Sequence, residues 1–358
     1  MSVICTEREF DYDEFPLEQF YNLILETNYE FETKMAQETT IGIEISKNPF
    51  LLSGEGINLF SAPQAYSTAI LSSPYVTEDF ISKKNYLNLF IEHEIALRDR
   101  LSLDFEGTFD ALIGDTTDLP ELPSVEPIEN NNFFPELSLN YELSDRLQLY
   151  TTIEYSREPT EGIDVTNLPF NSETYRGIEI GIESEFSDLW FATLSFAHEV
   201  QDNTTATNPN EPDFDLQINQ QSSNSIEGEI GGEINPGWWV YGFYTYTDAT
   251  VTEDEVIRVG NLVAGEARHI GGLWSSYEIL QGVGRGLGFG SGFLVNGNRP
   301  GDEENSFILP SYIQTDAAIF YSQDDFRAAI SVQNLFNAGR EDEDVTERTL
   351  FGVLLVEF

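Results

Sequence analysis

"LSLDFEGTFDA", residues 101–111, alternates strictly. Leu101, Leu103, Phe105, Phe109 and Ala111 fall on one side of an extended chain, and Ser102, Asp104, Glu106, Thr108 and Asp110 fall on the other. Such a segment is a strand with one apolar face and one wet face. The pattern returns at Leu137, Leu139, Tyr141 and Leu143, at Ile178, Ile180 and Ile182, and at Ile226, Ile230 and Ile234, each set separated by polar residues. Helical stripes of 3.6-residue spacing are essentially absent, so the chain reads as all-β.

Alternation also suits soluble sandwiches, and the connections decide between them. One set is very short: 97–101, 143–147, 186–190, 235–239 and 322–326. The other is long, acidic and rich in Gly, Pro and Asn: roughly 48–82, 114–133, 158–174, 201–215, 252–265 and 299–310. Short and long take turns, which places tight turns at one end of a sheet and elaborate loops at the other, as in outer-membrane barrels. Segments such as 83–97 exceed the ~5–6 residues of globular strands and reach the ~10 that a tilted membrane strand needs. Counting gives about 16 strands, the first near 19–32, with 213–220 and 223–235 read as two separate strands. The expectation is one domain over residues 1–358, a transmembrane antiparallel β-barrel of outer-membrane type.

Charge and composition narrow the function. Lys plus Arg number 17 against 63 Asp plus Glu, a net charge of -46, which repels nucleic-acid phosphates and excludes nucleic acid as a partner. A single cysteine, Cys5, allows no intrachain disulfide, and His93, His198 and His269 are too scattered for a Cys/His metal site. No Ser/His/Asp or Cys/His arrangement has persuasive context, so neither an enzyme nor a resident cofactor or metal is expected. The acidic runs 252–256 and 341–347 lack the Gly-punctuated spacing of a calcium loop and read as solvated loops.

Two clusters read as barrel features. In residues 236–249 ("PGWWVYGFYTYTDA") six aromatics fall within nine positions beside a tight turn, and Trp238, Trp239 and Tyr241 are the candidates for an interfacial belt. In residues 282–292 glycine occupies every even position, which in a strand would strip one face of side chains. At the C-terminus Phe358, Val356, Leu354 and Leu350 share one face, interrupted by Gly352, and resemble the signal by which outer-membrane barrels are recognised by their assembly machinery. Residues 1–16 are acidic and carry no secretory signal pattern.

Residues 297–340 ("GNRPGDEENSFILPSYIQTDAAIFYSQDDFRAAISVQNLFNAGR") resemble the last strands of TonB-dependent siderophore receptors, with an "R-x-G-D…N-x-F-x-L-P-x-Y-x-x-x-D-A" loop and strand followed by "N-L-F-[DN]". Residues 232–261, 267–279 and 173–184 are similar to preceding hairpins, the likeness being closest to ferric-hydroxamate receptors. The resemblance implies a 22-stranded barrel around an N-terminal plug, with ferric siderophore bound outside and the TonB complex pulling on a segment ahead of the plug. Plug and TonB-contacting segment are not seen in this sequence. The expectation is therefore an N-terminally truncated barrel portion, with about 16 of 22 strands, that engages TonB only if those segments are supplied. A plugless, porin-like passive channel of about 16 strands is the alternative. Expected partners are ferric siderophore, outer-membrane lipid and the assembly machinery. The resemblance carries no ligand-binding residue over.

Overall fold

The computed structural model describes residues 2–6, 22–32, 36–47, 84–115, 131–160, 162–164, 168–187, 189–210, 214–323, 326–339 and 347–356. In chain order the strands are β1 (Ser2–Thr6), β2 (Asn22–Glu32), β3 (Ala36–Lys47), β4 (Lys84–Arg98), β5 (Leu101–Asp115) and β6 (Asn131–Ser144). They continue with β7 (Leu147–Glu158), β8 (Glu173–Ser187), β9 (Trp190–Thr207), β10 (Asp215–Asn235), β11 (Trp238–Glu253) and β12 (His269–Glu278). The last are β13 (Leu287–Asn296), β14 (Arg299–Pro300), β15 (Ile308–Leu309), β16 (Tyr312–Gln323), β17 (Phe326–Gln333) and β18 (Thr349–Val356). Sixteen of them form one antiparallel sheet in sequence order, while β14 and β15 pair apart as a small hairpin. Among the described residues β1 and β18, the two ends of the sheet, are not paired with each other.

Register turns the alternation into two faces. Leu149, Thr151 and Ile153 of β7 oppose Ile182, Ile180 and Ile178 of β8, which oppose Leu194, Phe196 and His198 of β9. Ile180, Leu194, Ile230, Phe289, Ile319 and Ile330 stand exposed on this apolar face, a stripe that water alone would not tolerate at this extent. Along β9, from Trp190 to Asp202, ~3.3 Å per residue and the ~40° tilt of such strands make the face rise roughly 30 Å. It stops where Arg176 meets Asp202 at 2.6 Å. The height matches the ~25 Å apolar band of membrane barrels.

The other face is polar and acidic. Successive registers place Glu92 opposite Glu106, Glu106 opposite Glu136, and Glu136 opposite Glu154, a row of four carboxylates across β4 to β7. Like charges directly opposite oppose pairing, each by a fraction of about 1 kcal/mol. The adjacent tyrosines supply some compensation: Tyr175 donates to Glu154 at 2.6 Å, and Tyr150 donates to Glu179. Aromatic rings on this face lie over cross-strand glycines. A Cβ at Gly181 would sit inside the Tyr150 ring, and one at Gly288 inside the Phe320 ring.

Three departures from the sequence reading have physical causes. Ser2–Thr6 pairs with β2, although the charged run that follows it hides a strand of this length. β10 is one continuous strand rather than two, because 220–225 is polar on both faces and so lacks alternation without being a turn. β9 correspondingly extends to Thr207, shortening the expected loop 201–215 to 208–214. Of the even-numbered glycines, only Gly288, Gly290 and Gly292 share the polar face of β13; Gly282, Gly284 and Gly286 belong to the turn before it. Gly286 has φ +86°, and a Cβ there would lie 2.0 Å from the Ser322 carbonyl, so no other residue fits.

The short connections stand as expected. Arg98 pairs with Leu101, Ser144 with Leu147, Ser187 with Trp190, Asn235 with Trp238 and Gln323 with Phe326, five tight closures at one end. The expected loops 48–82 and 114–133 lie almost wholly outside the described residues.

Candidate functional site

Two connections at the opposite end, 254–268 and 297–311, interlock. The first begins with an acidic run that holds backbone rather than cation: Asp254 Oδ1 accepts the N–H groups of Val256 and Ile257, both at 2.7 Å, and Oδ2 accepts that of Asn219 at 3.1 Å. This turn drops Ile257 onto Leu216, Ile218 and Val251, the one buried apolar cluster among the described residues. The chain then runs back along β11, with Val251 N–H donating to Asn261 O and Val263 N–H to Ala249 O.

The second connection supplies a clamp. Asn305 accepts the Leu262 N–H at Oδ1 and donates from Nδ2 to the Leu262 carbonyl, both at 2.8 Å, so one side chain imitates a strand partner. Its backbone is left-handed, φ +54°, a region Asn tolerates better than most residues. Asn261 Nδ2 adds a bond to Glu303 O at 2.8 Å, and Gly265 N–H one to Pro300 O at 2.9 Å. Asp302 accepts the Ser306 N–H and hydroxyl, which closes the turn carrying Asn305. Arg299, 4% exposed, holds its guanidinium 5.9 Å from the Tyr312 ring centroid. Asp316 accepts the N–H of Asn334 at 2.7 Å, and Asn334 Oδ1 and Nδ2 bond Ala338. The motif positions Arg299, Asp302, Asn305, Tyr312, Asp316 and Asn334 are thus structural fasteners.

Beside the first of these connections, which contributes Val263 and Glu266 to its lining, a cavity of about 210 Å³ lies on the polar face of β9 to β11. Glu199, Glu227 and Glu266 line it together with Gln221, Ser223 and Ser225. Ser223 donates to Glu199 at 2.9 Å. Burial, reinforced by the Glu199 charge and partly offset by Arg299, holds the Glu266 carboxyl above the usual carboxylate range. Burial also raises Glu303, against the opposing Ala264 N–H bond. Among the described residues no group of three His, Cys, Asp or Glu is arranged to hold a metal ion. Sequence reasoning missed this cavity, because Glu199, Glu227 and Glu266 lie far apart in the chain and meet only through strand register and the fold-back of 254–268.

The expected belt residues do not share a face. Trp238 is on the apolar face, its indole N–H donating to Ser275 Oγ at 2.8 Å, whereas Trp239 and Tyr241 are on the polar face. Tyr241 is 3% exposed, donates to Glu229 at 2.7 Å and stacks on Phe191. Period-two geometry forbids neighbours 238 and 239 from both facing lipid. What lines the short-turn end is a cross-strand row, Trp238 beside Tyr277 beside Phe289 beside Ile319 beside Ile330. Trp190 and Tyr321 stand near the same end.

At the C-terminus, β17–β18 register places Leu350, Gly352, Leu354 and Val356 opposite Val332, Ile330, Ala328 and Phe326, which puts these positions on the apolar face. Leu350 is 70% exposed there. Phe358 lies outside the described residues.

The family model for "TonB dependent receptor-like, beta-barrel" matches residues 6–335. This chain belongs to the TonB-dependent receptor β-barrel family. Among curated relatives, the metal-pseudopaline receptor CntO of Pseudomonas aeruginosa is 27% identical over 206 residues, 57% of this chain and 29% of the relative. The ferrichrome outer membrane transporter/phage receptor of Escherichia coli K12 is 26% identical over 205 residues, 56% of this chain and 27% of the relative. The matched residues thus span less than a third of the length of these relatives. The siderophore receptor PiuA of Acinetobacter baumannii superposes with a TM-score of 0.56 at 16% identity, covering 89% of this chain and 52% of that one. FpvA of P. aeruginosa, solved with a bound pyoverdine, gives 0.57 at 18% identity, covering 95% and 48%. These structures share the fold of a TonB-dependent receptor barrel wall, and the sheet described above is such a wall.

Proposed function

We propose that this chain forms barrel wall in an outer membrane and takes part in ferric siderophore uptake. The observation that carries the reading is the pairing of a lipid-height apolar face with an acidic, hydroxyl-rich inner face beside the fastened loop 254–268, within a family with relatives named as siderophore receptors. The loops and inner wall capture cargo, and the role is transport rather than catalysis, as the names of the relatives as receptors and transporters support. Energised transport through the TonB complex is proposed only for a chain that also carries the plug and TonB-contacting segment. Trp238, with Tyr277 and Phe289 beside it, sits at the headgroup level of the short-turn end. Phe358 and the positions before it serve as the signal to the assembly machinery, so deleting Phe358 lowers the yield of membrane-inserted, heat-modifiable barrel in cells.

The function is tested by titrating the purified chain in detergent micelles with ferric trihydroxamate complexes, following tryptophan fluorescence. Saturable binding of the ferric complex over the iron-free one is the expected result. No binding, together with large steady ion currents in planar bilayers, would replace this reading with the passive channel.

A further inference from the structure

Glu303 ties loop 297–311 to loop 254–268 twice over. Its carbonyl accepts Asn261 Nδ2 at 2.8 Å, and its carboxyl accepts the Ala264 N–H, so backbone and side chain both hold the facing loop. Yet Glu303 Oε2 is shut away from solvent and, among the described residues, accepts no hydrogen bond. A carboxylate charge placed there has lost water without gaining a second donor, whereas the neutral acid in the same place costs far less. The charges around it bring no relief. Asp302, its neighbour in the hairpin, adds repulsion. On the elements packed against it, Asp254 is occupied with backbone N–H groups, Arg268 pairs with Asp248 at 2.6 Å, and Arg299 of β14 acts on Glu266. Glu255, Arg258 and Glu304 are exposed.

We propose that the interlock of the two loops is a pH-sensitive latch with Glu303 as its titrating element, firm in acid and loosened as pH rises. With the loops together, burial, helped by Asp302, outweighs the Ala264 bond and holds the carboxyl above its ordinary 4.5; with the loops apart it returns to water and to that ordinary value. The closed form therefore binds the proton more tightly. Its advantage is complete below about pH 4.5 and declines as pH rises through the raised value. Opening breaks the bonds of Val251 N–H to Asn261 O and Val263 N–H to Ala249 O, and lifts Ile257 from Val251. The latch is a property of the loops and holds whatever cargo the barrel takes.

The test is hydrogen–deuterium exchange of the full chain in detergent micelles at about pH 5 and about pH 8, converted to protection factors so that the intrinsic pH dependence of exchange cancels. Protection at Leu262 and Val263 should be about threefold or more higher in acid. Phe170, whose N–H bonds Gly162 O at 3.2 Å in another loop at the same end, should keep its protection. Glu303→Gln, neutral at every pH, should cut the loss at Leu262 and Val263 at least by half, the remainder belonging to Glu266. Equal protection at the two pH values overturns the latch. So does a loss shared by Phe170, or one that Glu303→Gln leaves more than half intact. Where the variant fails to fold, the comparison of Leu262 with Phe170 in the unsubstituted chain decides the matter.

Discussion

Replacing Asn305 with Ala tests whether the mouth of the barrel is fastened by one side chain. Asn305 satisfies both backbone groups of Leu262 at 2.8 Å, and its removal leaves a half-buried N–H and a half-buried C=O unpaired. Each orphaned group costs about 1–3 kcal/mol when fully buried, and an Ala forced to φ +54° adds roughly 1 kcal/mol. Partial access to water lowers the first figure, so loop 254–268 should lose about 2–4 kcal/mol of local stability, or ~30- to 1,000-fold in its opening equilibrium. Hydrogen–deuterium exchange in micelles reads this directly as faster exchange at Gly260, Asn261 and Val263, with β7 and β8 unchanged. Asn305→Asp, which keeps the acceptor for Leu262 N–H and loses the donor, should fall between the two. Unaltered protection of 254–268 in the Ala variant would refute the clamp.

Gly292 and Gly228 form a contrasting pair. A Cβ at Gly292 would lie 2.6 Å from the Leu273 carbonyl and the Trp274 ring, so Gly292→Ala should lower unfolding stability by about 1–3 kcal/mol. Gly228→Ala, whose nearest contact is 3.7 Å, should leave it within about 0.5 kcal/mol; urea titration in micelles compares them. For Glu266 the folded carboxyl lies above its ordinary 4.5, so the folded state binds the extra proton. Stability therefore falls as pH rises from about 4.5 through that raised value and stays lower above it. Glu266→Gln should raise the melting temperature at pH 8 relative to the unsubstituted chain, with the difference vanishing below pH ~4; a difference independent of pH would contradict the assignment.

Much of the wall was legible because one force wrote it. Ile178, Ile180 and Ile182 alternate with Glu179, Gly181 and Glu183 since one face meets hydrocarbon and the other water, and register then confirmed which residues share a face. Where both faces are wet that signal disappears, which is why 220–225 read as a break inside β10. Trp239 and Tyr241 were misplaced because composition was allowed to outrank period-two geometry, and Tyr241 instead spends its hydroxyl on Glu229. The candidate site was the least legible part. Asn305 reaches Leu262 across 43 residues, and the carboxylates of the cavity come from two strands and a loop, so local pattern holds no trace of either.

The central claim is that one face of this sheet meets lipid and the other does not, and the chain's four tryptophans test it. Trp190 and Trp238 are on the apolar face, Trp239 and Trp274 on the polar face. Four single-tryptophan variants, with Phe at the other three positions, are reconstituted into bilayers containing phospholipids brominated along the acyl chain. Strong quenching at Trp190 and Trp238 with little at Trp239 and Trp274 is the predicted result; equal quenching on both faces, or none at all, would contradict it.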